Sequence, residues 1–401
     1  MDLHSGSPYW GMKNPLLQYV DALSSDIQTE VLIIGSGITG ALAAHELCSA
    51  GIACTVVDRR SIAGGSTTAS TAQLQYEIDV PLHKLAEKME EKKAAAAYKA
   101  SLKSINDLKK VFKETGVDGE FQQVPTLLLA SNRKGLRELK EEYAIRTKHK
   151  LPVEFLDAQQ LKEKYTIERL GALWNNTSAQ IDCYKAAIGL LNHYHEKQQL
   201  NLFPYTEVVG YKRNQTGFIV ETQRGFTVTC KYMVIAAGFE AGRFLPKNVM
   251  KLISTYALVS EPLSPAQLWP ERCLIWETRQ PYFYMRTTND NRIMMGGEDI
   301  SFKNAAIRDS KLASKTKTLG RKFKKLFPHI PMVTDFSWCG TFSSTEDGLP
   351  YIGEYEGKKN IFFALGYGGN GITFSMIAAQ LIRNKIQGKK DKREEIFGFD
   401  R

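Results

Sequence analysis

At 401 residues the chain is longer than one simple core needs, and two domains are expected. Hydrophobic residues make up 43% and charged residues 24%, an ordinary balance for a soluble globular protein, and no apolar run approaches the roughly 20 residues of a membrane-spanning helix. The net charge of +10 is modest for this length.

Met1 to Asp26 lacks the basic-then-apolar pattern of a signal peptide. Within it, Pro8-Tyr9-Trp10 reads as a strap packed on the core. Glu30 to Ile34 is a short β-branched run that predicts a buried parallel strand. It leads into Gly35-Ser36-Gly37-Ile38-Thr39-Gly40 and a helix of small residues. In this pattern Gly35 allows the tight turn, Gly37 lets the backbone approach a pyrophosphate, and Gly40 brings helix and strand together. The helix N-terminus then offers N–H groups and a positive dipole end to phosphate. A second strand, Ala53 to Val57, ends in Asp58, where an acid suits a ribose hydroxyl, with Arg59 beside it.

Gly64 to Gln73 is a small, polar, glycine-led loop. The apolar spacing of Leu85, Met89, Tyr98, Leu102, Ile105 and Phe112 predicts one long helix over 82–115, ended by Gly116. A strand over 124–130 and helices over 134–148 and 158–165 follow. Further strands are expected over 217–222, 227–229 and 232–236, the last running into Ala237-Gly238. From Ile253 to Gly297 the alternation is β-like. Lys311 to Lys325 predicts an amphipathic helix with a solvated basic face, for which membrane-surface or RNA contact is the alternative. A strand over 360–365, the glycine turn Gly366 to Gly371 and a helix over 372–386 return to the style of the opening. The six cysteines, Cys48, Cys54, Cys183, Cys230, Cys273 and Cys339, lack C-x-x-C or zinc spacing. They read as reduced thiols of a cytoplasmic protein without a metal site.

Five segments in this order give the chain a wider identity: VLIIGSGITG with Asp58, GGSTTASTAQLQ, VIAAG at 234–238, WCGTFSSTEDGLP at 338–350, and FFALGYGGNGIT at 362–373. Together they resemble the D-amino-acid oxidase-like superfamily of FAD enzymes, which includes glycine, sarcosine and γ-glutamylputrescine oxidases. The resemblance implies an α/β fold, α+β overall, with a Rossmann-like FAD domain and an inserted mixed substrate domain on an antiparallel sheet. The expected division is 1–82, 157–240 and 336–401 for FAD, and 83–156 with 241–335 for substrate. It also implies oxidation of a C–N bond of an amine or amino-acid derivative, by hydride transfer to flavin N5, with oxygen or a quinone-type compound as acceptor.

Carried onto this chain, the FAD site comprises Gly35, Gly37, Ile38, Thr39, Gly40, Asp58 and Arg59, then Gly65, Ser66, Thr67, Ala69, Ser70, Thr71 and Gln73. Val208, Ala237, Gly238, Asp347 and Gly348 join it, as do Gly368, Gly369, Asn370, Gly371, Ile372 and Thr373. In the family the glycine turn lies beside the flavin pyrimidine ring, where N–H groups would stabilise negative charge. Arg286, Tyr284, Tyr367 and Asn370 are the candidate catalytic residues, with Tyr256 and Tyr282 as further pocket candidates. Arg286 is the remaining carboxylate anchor, because the arginine and lysine that bind carboxylate in relatives correspond to Phe342 and Thr373 here. Met294 stands where sarcosine oxidases carry an oxygen-activating lysine. The position of their flavin-linking cysteine falls on Gly340, one past Cys339, so non-covalent FAD is expected. A flavin dehydrogenase of a hydroxy acid or polyol, an RNA-associated flavoprotein and a non-catalytic flavin subunit are the alternatives; nucleic acid is the less expected partner.

Overall fold

In the computed structural model, which describes residues 3–14 and 20–401, the run Ile27–Ile34 is the parallel strand its composition predicts. Residues 1–2 and 15–19, inside the expected 1–82 segment, lie outside the described residues. Val31, Leu32 and Ile33 are fully buried, because helices cover one face of this sheet and a second apolar cluster covers the other. Among the described residues the sheet runs Leu200–Phe203, Cys54–Val57, Ile27–Ile34, Thr227–Ile235, Phe218–Thr222 and Val208–Arg213. Its first four strands are parallel, and Ile361–Leu365 adds in parallel to the far half of Thr227–Ile235. The expected pieces at 227–229 and 232–236 are thus one strand. The helix Ile38–Cys48 is buried along its whole length against Gly371–Ile386 and Cys183–Glu196.

The second sheet is larger. Its order is His4–Gly6, Thr334–Ser344, Lys251–Ser260, Ile293–Ser301, Phe283–Thr287, Leu274–Glu277, Thr126–Leu129, Gly171–Asn175 and Glu154–Asp157. All neighbouring pairs are antiparallel except Thr126–Leu129 with Leu274–Glu277, which is parallel, so the sheet is mixed rather than antiparallel throughout. This topology also revises the expected boundaries. Residues 4–6, 171–175 and 334–344 pair into the large sheet, although 1–82, 157–240 and 336–401 were expected on the nucleotide side. Strand edges set these partners, and edge hydrogen bonding leaves no local mark in sequence.

The long helix over 82–115 is two, Leu82–Lys88 and Glu91–Thr115, with Met89 and Glu90 extended between them. The buried carboxylate of Glu142 accepts the N–H groups of Leu82 and His83, both at 3.0 Å, and so fixes where the first piece starts. Glu142 also pairs with Arg146 at 2.7 Å, and Arg146 reaches Glu77 at 3.2 Å between the rings of Tyr76 and Tyr98. The basic helix Leu312–Leu326 buries Leu319, Phe323 and Leu326, as its spacing requires. Lys315 and Lys322 turn inward onto Glu298, which removes two cations from the expected basic face. Among the described residues, no helix is long and apolar enough to cross a membrane.

Candidate active site

Between the two sheets lies a cavity of about 330 Å³. The dinucleotide turn forms one wall. A Cβ at Gly40 would lie 1.9 Å from the carbonyl oxygen of Gly35, so any side chain there would push the helix off the strand. Gly35, Gly37, Ile38 and Thr39 line the cavity, and Gly40 packs behind them. Asp58 also lines it, and its carboxylate accepts from the N–H and hydroxyl of Ser36, both at 2.7 Å, and from the N–H of Arg60 at 2.8 Å. Arg59 and Arg60 pair with Glu240, and Arg243 with Glu207, so the cations of this flank are matched by acids. Val208, Ala237 and Gly238 complete the flank.

The loop carrying Gly65, Ser66, Thr67, Ala69, Ser70, Thr71 and Gln73 forms the next wall, and each of these residues lines the cavity. The Thr67 hydroxyl accepts the Ile38 N–H at 3.0 Å, tying loop to turn. The loop is gripped from behind. Trp10 Nε1 donates to the Ser70 carbonyl at 2.6 Å and Trp338 Nε1 to the Ala69 carbonyl at 2.8 Å. Trp10 sits in the helix Tyr9–Lys13 and is fully buried, as a strap would be. Arg286 completes the grip, with Nη1 donating to the carbonyls of Thr71, Ala72 and Ile181 at 3.0, 2.9 and 2.7 Å. Burial pushes its guanidinium down to about 10. The expectation that Arg286 anchors a substrate carboxylate is therefore corrected: it is outside the cavity lining, and its donors serve backbone oxygens.

The glycine turn lines the cavity through Gly368, Gly369, Asn370, Gly371 and Ile372. Its amides are not arranged as expected. Gly368 N–H donates to Ser343 O at 2.9 Å, Gly369 N–H to Asp79 Oδ2 at 2.7 Å and Asn370 N–H to Tyr367 O at 3.2 Å. The N–H groups without an intrahelical acceptor begin one step later, in the first turn of the helix Gly371–Ile386. The Asn370 amide donates to the Glu77 carbonyl at 2.7 Å. Thr373 is buried in that helix, its hydroxyl on the Asn370 carbonyl, and is not in the lining. Asp347 and Gly348 are also corrected: the Asp347 carboxylate accepts from Arg401 at 2.8 Å and from the Leu349 N–H at 3.0 Å, away from the cavity.

Opposite the paired cations is an acidic, aromatic flank. After the loop the chain alternates polar and apolar: Gln73, Gln75, Glu77 and Asp79 line the cavity, while Leu74, Tyr76 and Ile78 are fully buried behind. That period of two was readable in the sequence, and it would have found Gln75, Glu77 and Asp79. Thr255, Trp276 and Asp299 were also missed; they arrive on three separate strands of the large sheet, and no local signal marks them. Tyr282, Tyr284, Tyr367 and Phe342 line the same flank, whereas Tyr256 points to the Arg308 carbonyl in the core. Gly296, directly across from Tyr284 in the strand pair, leaves room for its ring, since a Cβ there would meet the Tyr284 hydroxyl oxygen at 2.5 Å. Gly340 lines the cavity, while Cys339 faces the other side of its strand beside Asp309 at 3.3 Å; Met294 is fully buried in the core.

Burial pushes Asp299 up to about 6, and the charge of Asp79 adds to it. Asp79 is raised by burial and held back by the Gly369 N–H. Burial and these two carboxylates push the hydroxyls of Tyr282 and Tyr284 up as well. Buried polar atoms without a protein partner cluster here: both amide atoms of Gln73, Glu77 Oε2, Thr255 Oγ1, Asp299 Oδ1, Trp276 Nε1 and the Tyr367 hydroxyl. Orphaned polar atoms of this number along one wall belong to a ligand site. Among the described residues, no group of side chains fits a metal ion.

The family model described as FAD dependent oxidoreductase (DAO) matches residues 30–384. Gamma-glutamylputrescine oxidoreductase of Escherichia coli K12 is 24% identical over 405 residues, covering 98% of this chain and 91% of that protein. Glycine oxidase of Geobacillus kaustophilus is 24% identical over 383 residues, covering 90% of this chain and 93% of that protein. Among solved structures, L-proline dehydrogenase from P. horikoshii superposes with a TM-score of 0.77 at 20% identity, covering 93% of this chain and 97% of that one. The turn, the clamped loop and the orphaned polar wall suit the cofactor of that family, which is FAD. The chain belongs to the DAO family of FAD-dependent oxidoreductases.

Proposed function

We propose that the protein oxidises the C–N bond of an amine. One observation carries this reading. Among the described residues, the arginines lining the cavity, Arg59, Arg60 and Arg243, all belong to the flank of the dinucleotide turn, and no lysine or arginine lines the flank of Asp79 and Asp299, where Glu77 is already paired with the buried Arg146. A simple amino acid or a hydroxy acid would leave its carboxylate unpaired in that flank, at a cost of several kcal/mol. An ammonium group would instead meet carboxylates and the rings of Trp276, Tyr282 and Tyr284.

Gly35, Gly37, Ile38, Thr39 and Asp58 would hold the FAD pyrophosphate and ribose, with Val208, Ala237 and Gly238 beside them. The 65–73 loop and the turn of Gly368 to Ile372 would hold the rest. Bound FAD supplies the two-electron acceptance that no side chain can provide. The chain's own residues do the remainder. Asp79 and Asp299 draw the ammonium group in. Asp299, raised to about 6, takes one proton and leaves the neutral amine that can be oxidised. As a hydride leaves carbon, positive charge develops on nitrogen, and the same carboxylates stabilise it. The iminium product then takes up water and gives a carbonyl compound and an amine. The aromatic rings exclude water until the electrons have moved.

The absence of a cation from this flank's described lining also bears on the acceptor. Reduction of oxygen builds negative charge, so reoxidation should be slow with oxygen and faster with a quinone-type compound. The test is anaerobic bleaching of the flavin by a panel of amines, amino acids and hydroxy acids, followed by stopped-flow reoxidation. Amines should bleach it best. Faster bleaching by glycine, D-alanine or a hydroxy acid would overturn the reading.

A further inference from the structure

A second cavity, of about 390 Å³, adjoins the first and shares two lining residues with it, Asp79 and Trp276. The two chambers meet at these residues. On the far side are Asn132, Lys134, Glu138, Thr278, Arg279 and the buried base formed by Leu128 and Leu139. The lining on this side is mixed in charge, with Glu138, Glu142 and Glu277 beside Lys84, Lys134 and Arg279, and Glu277 lies 3.6 Å from Lys322. Lys84 is taken up by Glu138 at 2.8 Å and His83 by Glu142 at 2.8 Å. Lys134 and Arg279 are exposed at the rim, and neither has an ion pair among the described residues. The two chambers together therefore present Asp79 and Asp299 inside, an apolar base beyond Trp276 whose neighbouring carboxylates are each paired, and at the outer rim two cations without an ion pair among the described residues.

We infer that the second chamber is a subsite for the far end of an elongated substrate, an amine whose aliphatic chain ends in a carboxylate. The ammonium end lies with Asp79 and Asp299. The methylenes pass Trp276 and cover Leu128 and Leu139, and each one buried should tighten binding roughly fourfold. The distal carboxylate meets Lys134 and Arg279, of which the arginine can hold it bidentately. This assignment rests on the amine reading of the inner chamber, and it adds that substrate length and a terminal anion set specificity.

The test uses the FAD-loaded protein under anaerobic conditions. Binding of a homologous series of ω-aminocarboxylates, and of alkylamines of the same lengths, is followed by perturbation of the flavin absorbance, alongside bleaching. Affinity in the carboxylate series should rise with chain length, and past a threshold length should exceed that of the matching alkylamine. Replacing both rim cations, Lys134→Glu with Arg279→Glu, should lower the preference for the long ω-aminocarboxylate over its alkylamine about tenfold, the worth of one charge-assisted contact. Both side chains are exposed, so the double variant should fold. Equal affinities in the two series, or a preference unmoved by the double variant, would overturn the subsite. If ω-aminocarboxylates bind with this length and charge dependence but no amine bleaches the flavin, the subsite stands and the amine-oxidation reading falls.

Discussion

The two flanks of the central cavity are made of different material. The flank of the dinucleotide turn is backbone. Its centre is one contiguous strand–turn–helix, closed by backbone contacts at Gly35 and Gly40, and each lining arginine around it has an acid partner. The opposite flank is side chain. Its carboxylates and rings come from the 73–79 stripe and from separate strands of the large sheet, and many of its polar atoms have no partner. A wall of backbone can change little without losing the fold. A wall of side chains can be rewritten residue by residue, so substrate preference can change there while the backbone wall stays the same.

Four experiments would break or sharpen this contrast. The largest effect is expected from Gly40→Leu, because its Cβ position is 1.9 Å from a backbone oxygen. Overpacking of this kind should cost roughly 3 kcal/mol or more and abolish FAD retention, read as lost yellow colour and a lowered Tm. A stable, FAD-loaded variant would show that the turn is less rigid than its contacts imply.

The second concerns the support of the acidic stripe. Burial raises Glu142, but the charge of Arg146 and the N–H groups of Leu82 and His83 outweigh it and bring Glu142 down to about 2. Its folded value lies below its ordinary value of 4.5, so the stability it contributes is complete above pH 4.5 and is lost as pH falls towards 2. Glu142→Gln leaves Arg146 buried with one carboxylate fewer and should cost about 3 kcal/mol at neutral pH. Urea midpoints measured against pH should fall over that window in the parent and be flatter in the variant. Parallel curves would remove Glu142 from the account.

The third addresses the acidic flank itself. With Asp299 raised to about 6, kcat/KM for an amine should climb as pH rises through that value. Asp299→Asn should erase this limb and reduce kcat/KM roughly a hundredfold. An unchanged profile would move the proton to another group.

The smallest effect is expected from Arg286→Met. Removing the donor to three buried carbonyls should cost about 2 kcal/mol of stability and weaken FAD binding. The ranking of amines against carboxylated substrates should stay as it was. A selective rise in KM for carboxylates, with Tm unchanged, would restore Arg286 as an anchor.

The same contrast explains what could be read from the chain beforehand. The turn, its helix and the return strand Cys54–Val57 follow from local spacing, because one segment supplies all of them. The face of Cys339 follows too, since alternation along a strand puts Gly340 in the cavity and Cys339 away from it. Arg286 was misread because a lone arginine in a β-run looks the same whether it meets a ligand or three carbonyls. Asp299 and Trp276 carry no local mark, since their meeting depends on how the large sheet is ordered. Glu77 and Asp79 were legible, in the strict alternation from Gln73 to Asp79, but the small residues just before them draw the eye first.

The grip on the 65–73 loop has a consequence for how the protein is made. Its holders are Trp10, Arg286 and Trp338, and the bond from Trp338 to Ala69 spans 269 residues of chain. On the ribosome, the dinucleotide turn emerges hundreds of residues before the strand that bears Trp338. The grip on the loop is complete only when that strand has joined the large sheet beside His4–Gly6. The cradle around the loop is therefore completed late in synthesis. A chain released short of Thr334–Ser344 would carry the complete dinucleotide turn but lack the Trp338 contact that holds Ala69.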